Sequence, residues 1–232
     1  MFLSRLSLNV ASAEFRRDFV DVQHMHRTVQ SAFPELPSGS PARKEHGVLW
    51  RMEPAGSGYT VLVQSLSKPA WDELPQGYLS APAEVRGMDA VLDAIAPGRR
   101  FAFRLVAVPL HSLPGERDAN GSLKRGRKIS LRNPDDQIAW IIRRGERHGF
   151  VIPAGAHGEP NVAPSPCPPA RGRKSEDSGK VNKITVSAVR FDGQLVVTDA
   201  EALTEAVRDG ISSAKAYGCG LLSLYPLPPT QD

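Results

Sequence analysis

No apolar run in the 232-residue chain approaches the ~18 residues needed to cross a bilayer. The first residues also lack the basic, apolar and small-residue zones of a signal peptide, so neither membrane nor export is expected. Cysteine is almost missing. Cys167 and Cys219 are too few for a zinc cluster or a disulfide framework, and a reducing cytoplasm is the expected setting. His24 and His26 would point to opposite sides of a helix, and none of the six histidines sits at metal-ligand spacing with a supporting acid. No metal site and no cofactor are expected. Aromatic residues are only 6%, and charge of one sign is barely in excess, at a net +4. The remaining balance, 41% hydrophobic and 23% charged, is that of a globular protein and excludes global disorder.

Glycine and proline are what the chain has in plenty, with 20 of each. That exceeds the usual ~12% combined share and implies many turns and short elements. The basic residues are also clustered, in KRGRK (124–128), RRGER (143–147) and RGRK (171–174). Clustered Arg and Lys attract a polyanion and release its counterions, although solvated loops would look the same.

Residues 2–9 read as a strand. A helix from about Ala13 to Phe33 is expected from one stripe, Phe15, Phe19, Val22, His26, Val29 and Phe33, stopped by Pro34. Residues 47–53 and 58–65 read as a hairpin, 66–98 is broken by four prolines, and 88–95 can form a short helix. A second round starts with the strand 101–108. Asn133, Pro134, Asp135 and Asp136 then open a helix with a cap, a proline at the first position and two acids at the positive dipole end. Ile138, Ile141 and Ile142 give its apolar face, and Gly149 can end it. The proline-rich stretch 153–180 reads as a flexible insertion. Residues 181–191 and 194–198 read as a hairpin turning at Asp192 and Gly193. Thr198 to Glu201 is a capping box for a helix over about 199–216, with Leu203, Val207, Ile211 and Ala214 inward. A strand at 221–227 closes the chain.

The second half thus runs β-α-β-β-α-β and the first begins the same way. The expected fold class is α+β, two tandem ferredoxin-like (RRM-like) domains over 1–97 and 98–232. With so few aromatics, an RNA site on this scaffold would use charge and backbone instead of a stacking platform.

His26 lies mid-stripe between Val22 and Val29. It is either a core histidine satisfied by a hydrogen bond or, if its helix faces a cleft, a general acid or base titrating near neutrality. In KAYGCGLLSLYPL (215–227), paired glycines between a helix and a strand let backbone approach a phosphate or another chain, or simply cap the helix. Cys219 between them reads as a small filler.

The opening FLSRLSL, the spacing from His26 to Phe33 and Pro34, SLKRGRKISLRNPDDQIAWI (122–141) and the terminal KAYGCGLLSLYPL together resemble the CRISPR repeat-RNA endoribonucleases of type I-E systems, the CasE family. The resemblance runs end to end and is loosest over 153–175. It implies two ferredoxin-like domains and a metal-independent ribonuclease that cuts precursor CRISPR RNA at the base of the repeat hairpin. The 2′-hydroxyl attacks the adjacent phosphate and leaves a 2′,3′-cyclic phosphate, and the product stays bound with other Cascade subunits as partners. Outside that complex a monomer is expected. The family histidine falls on His26, the glycine-rich loop on Gly218 to Gly220, and its preceding lysine on Lys215. Some members carry a tyrosine three residues before the histidine, where this chain has Gln23. Lys124, Arg125, Arg127, Lys128, Lys180 and Lys183 are the expected backbone contacts, with Lys215, Gly218 and Gly220 completing the RNA-binding set. The alternatives are a non-catalytic RNA-binding subunit and a small-molecule enzyme on the same scaffold. The basic runs, and the lack of an acidic pair or cofactor motif, argue against the latter.

Overall fold

The structure is a computed structural model that describes residues 1–36, 45–115, 126–155, 157–175 and 181–228. In the first half, β1 (Phe2–Leu8), β2 (Leu49–Ala55), β3 (Gly58–Ser65) and β4 (Glu84–Gly87) form an antiparallel sheet in the order β2-β3-β1-β4. Strand alternation decides which face is covered: Ser4, Leu6 and Leu8 are buried while Arg5 faces solvent. Gly56 at φ +56° supplies the first turn position of the β2–β3 hairpin.

The helix expected over 13–33 is two helices, α1 (Ala13–Val20) and α2 (Val22–Gln30). Asp21 breaks it. Its backbone is extended (φ −131°, ψ 103°), and its carboxylate accepts from the Gln23 N–H at 2.9 Å. Its own N–H closes α1 on the Arg17 carbonyl. A short acceptor side chain that satisfies the next helix start favours a cap over an uninterrupted helix. Phe15, Val22, Met25 and Val29 still pack on the sheet with Trp50, Val61, Trp71 and Tyr78, but Phe19 is 44% exposed.

In the second half, β5 (Arg100–Ala107), β8 (Phe150–Val151), β12 (Val189–Val197) and β13 (Leu222–Pro226) run β13-β5-β12-β8, and β9 (Val162–Pro166) pairs with β12 beyond β8. Two ribbons stand apart from this sheet, β6 (Leu110–Ser112) with β7 (Lys128–Ser130), and β10 (Ala170–Ser175) with β11 (Val181–Val186). Helix α3 spans Asp89–Asp93, α4 Pro134–Arg147 and α5 Ala200–Asp209. Phe101, Phe103, Leu105, Trp140, Ile141, Phe191, Leu203 and Val207 form the core.

Four expectations need correction. Asp192 and Gly193 are not a turn but lie inside β12, paired with Arg104 and Phe103 on one side and with Ala163 and Val162 on the other. A Cβ at Gly193 would run into Val162, so close strand packing explains that glycine. The proline-rich stretch is not a structureless insertion, for it carries β9 and β10. Pro164 and Pro166 share one parity on β9, whereas Cys167, of the other parity, donates its N–H to Ala188 at 3.0 Å. The missing donors therefore face the outer edge. The last helix ends at Asp209, not near 216, because Gly210 leaves it at φ +77°, and its cap is Asp199, whose side chain accepts from the Ala202 N–H. Ala214 then sits in a left-handed turn instead of facing inward along the helix. Finally, the buried residues of α4 are Gln137, Trp140, Ile141 and Gly145, while Ile138 and Ile142 are only half-buried.

The two halves are pinned by polar contacts from β2 and β3 to the last helix and the last strand region of the second half. Arg51, 3% exposed, donates to the Leu221 carbonyl and the Ser223 hydroxyl, both at 3.0 Å. Gln64 donates to the Val207 carbonyl at 2.7 Å.

Candidate functional site

Helix α2 lies at the seam between the halves. Gln23 and His26 are one turn apart, three residues, and therefore share a face. Val22, Met25 and Val29 take the core positions. His26 is only half-buried, and Arg27 beside it is exposed.

Facing α2 is the loop after α5. Its base is closed by two backbone bonds, Ile211 N–H to the Gly220 carbonyl (2.9 Å) and Gly220 N–H to the Val106 carbonyl (2.8 Å). Lys215–Tyr217 form a 3-10 turn, entered through Ala214 at φ +58° and left through Gly218 at φ +81°. Trp50 of the first half fixes this turn. Its indole N–H donates to the Ala216 carbonyl at 3.3 Å, and its ring would be 3.0 Å from a Cβ at Gly218. Gly218 thus lets the loop press onto the other half, whereas a Cβ at Gly220 would meet Lys215 within the loop itself. Cys219 between the two glycines is 1% exposed, and burial pushes its thiol up to about 12, with Cys167 adding to the shift. It fills space and does not act as a nucleophile.

That docking delivers Tyr217 to α2. Its hydroxyl donates to Gln23 Oε1 at 3.2 Å, and its ring meets the His26 imidazole edge-on, with centroids 6.4 Å apart and planes at 75°. Burial, and then the Asp21 carboxylate, raise the phenol above its ordinary value, so it remains a donor at neutral pH. Lys215 lies within electrostatic reach of His148 at the end of α4, which burial and then Arg144, Lys215 and Arg147 hold below the ordinary histidine value.

The structure therefore brings His26, Lys215, Gly218 and Gly220 into one neighbourhood. Lys183 is on β11 opposite Arg173 of β10. The β10–β11 ribbon meets the start of α2, where the Arg173 N–H donates to Asp21 at 3.3 Å and Gly172 packs on Asp21 and Val22. A groove of about 490 Å³ runs between them, lined by Asp21, Arg171, Arg173, Lys183 and Thr185. Arg127 and Lys128 stand at the separate β6–β7 ribbon, both exposed. Lys124, Arg125 and Lys180 lie outside the described residues. Sequence reasoning missed Tyr217 and the ribbon arginines Arg171 and Arg173. The RGRK run was a signal for the latter, but nothing local marks Tyr217, whose partner Gln23 is 194 residues away.

Among the described residues no helix is long and apolar enough to cross a membrane. A family model described as CRISPR associated protein matches residues 1–226. The CRISPR-associated endoribonuclease Cse3 of Thermus thermophilus is 35% identical over 97% of this chain and 100% of its own. The CRISPR system Cascade subunit CasE of Escherichia coli (strain K12) is 30% identical over 89% of this chain and 93% of its own. A solved structure of CRISPR endoribonuclease Cse3 bound to a 19-nucleotide RNA has a TM-score of 0.74 at 35% identity, covering 97% of this chain and 100% of that one. With the match spanning almost every residue, the chain belongs to the CRISPR-associated endoribonuclease family of Cse3 and CasE.

Proposed function

We propose that the protein cleaves CRISPR repeat RNA at the hairpin base, with His26 transferring the proton, and retains the product as a subunit of a Cascade complex. The reaction is attack of the ribose 2′-hydroxyl on the neighbouring phosphate, leaving a 2′,3′-cyclic phosphate and a 5′-hydroxyl. It needs in-line positioning, a proton acceptor and donor, and positive charge at the phosphorane, and it needs no bound ion. One observation carries this reading: a half-buried histidine on α2 meets a glycine-framed loop from the opposite half, in a seam flanked by the basic β10–β11 ribbon. Lys215 and Arg27 are the nearest proposed sources of the stabilising charge. The RNA is proposed to lie along the seam, with its backbone on Arg127 and Lys128 of one ribbon, Lys183 of the other, and Lys124, Arg125 and Lys180.

The finer architecture belongs to the same proposal. Sheet orders β2-β3-β1-β4 and β13-β5-β12-β8 have the same pattern: in each, the first and third strands are central. This supports two tandem ferredoxin-like domains over 1–97 and 98–232. In the first, the 3-10 turn Trp71–Glu73 stands between β3 and β4, where that order places its second helix.

The test is single-turnover cleavage of a repeat-hairpin RNA in EDTA at saturating protein. Wild type is expected to cut, and His26→Ala to be slower by roughly 10²–10⁴-fold with RNA affinity retained. Cleavage by His26→Ala within a few-fold of wild type refutes the assignment. Binding without cleavage by wild type would leave only an RNA-binding subunit.

A further inference from the structure

We infer that Tyr217 is a second group of the cleavage site, its hydroxyl held by Gln23 beside His26 so that it hydrogen-bonds a non-bridging oxygen of the scissile phosphate. This rests on the reading that His26 acts in cleavage. The geometry supplies the position. A hydroxyl 3.2 Å from Gln23 Oε1, on a ring edge-on to the imidazole, lies on the same face of α2 as His26 and only one turn from it. The backbone supplies rigidity. Tyr217 is bracketed by Ala214 and Gly218, both at positive φ, and its neighbour Ala216 is tied to Trp50. Non-glycine residues hold such conformations only where the surroundings enforce them, and Ala214 does so beside the proposed site.

The chemistry supplies the role. The nearby carboxylate, Asp21, is engaged by the backbone N–H groups of Gln23 and Arg173. The phenol instead gives its hydrogen to a neutral amide oxygen. An anionic phosphate oxygen is the stronger acceptor and takes that hydrogen when RNA enters the seam. No proton is transferred, and the hydroxyl adds a preorganised donor where negative charge grows as the phosphorane forms. Gln23, in this account, is a positioning residue. It sets the phenol at the height of the imidazole instead of contributing chemistry of its own.

The experiment compares wild type, Tyr217→Phe and His26→Ala on a repeat hairpin, with and without a single phosphorothioate at the scissile phosphate. Phenylalanine keeps the ring and its packing and removes only the donor. Tyr217→Phe is expected to slow single-turnover cleavage by roughly 10²-fold while Kd stays within about two-fold. Sulfur is the poorer acceptor, so the slowing that thio substitution causes in wild type should shrink toward unity in Tyr217→Phe. Cleavage by Tyr217→Phe within two-fold of wild type, beside an inactive His26→Ala, overturns the role of Tyr217 and leaves the histidine reading intact. A rate loss matched by weaker binding, or an unchanged thio effect, also overturns it, because packing would then be the whole contribution. An active His26→Ala removes the reading on which the inference stands.

Discussion

Gly218 shows what one residue contributes at the seam. Its φ of +81° and the Trp50 ring 3.0 Å from a would-be Cβ impose two separate demands, backbone conformation and space. Gly218→Ala is therefore expected to cost about 1–2 kcal/mol from the left-handed conformation, before any displacement of Trp50. Because Tyr217 is the adjacent residue, cleavage should fall more steeply than affinity. Thermal melting and single-turnover rates, measured side by side, check both halves of that statement. A bare helix stop would tolerate Asn at this position, so an Asn variant with wild-type activity contradicts the packing role. His26 and the glycines were legible because each carries a local signature, a stripe position or a repeated small residue. Tyr217 was not, since its significance arises only when a loop from one half docks on a helix of the other.

Elements were legible wherever short-range chemistry settles them. Strand β5 alternates buried and half-buried side chains along FAFRLVA, and α4 opens on Asn133, whose side chain accepts from the Asp135 N–H at 3.0 Å. Errors fell where tertiary contact overrides a local motif. Asp192 and Gly193 look like a turn, yet with β5 and β9 on either side both lie within a strand. Prolines suggest irregular chain, yet an edge strand tolerates them on its outer parity. The β10–β11 ribbon is one of those misread elements, and it yields a prediction. Arg171, Arg173 and Lys183 are all exposed on it. Replacing all three with alanine should leave the melt near wild type, weaken RNA binding and lower the slope of log Kd against log salt. Every phosphate that is no longer neutralised takes about 0.7–0.9 from that slope. Filter binding across a salt series reads it directly, and an unchanged slope shows the ribbon to be merely solvated.

At the scale of the whole molecule, the halves are held by charge as well as packing. Arg51, Glu53, Arg104 and Asp192 form a chain of ion pairs across the seam, Arg51 to Glu53 at 2.6 Å, Glu53 to Arg104 at 3.2 Å and Arg104 to Asp192 at 2.5 Å. Burial alone would raise the Glu53 carboxyl, but the Arg51 and Arg104 guanidinium groups outweigh it and hold the group below its ordinary 4.5. A carboxylate depressed in the folded state stabilises the fold at pH values above its unfolded value, and that contribution fades as pH falls through the folded one. Protonation also leaves Arg51, almost fully buried, without its charge partner, although the Leu221 and Ser223 acceptors remain. Stability should therefore drop as pH falls through 4.5 and below, and the seam should loosen with it. Glu53→Gln removes the titrating group, so it should melt lower than wild type at pH 7 and lose less on acidification, until the two curves converge below the folded value. Denaturant unfolding from pH 7 to 3 for both proteins tests this. Parallel curves over that range would mean that Glu53 contributes nothing to the pH dependence and that the ion-pair chain adds nothing to the hydrogen bonds and packing that join the halves.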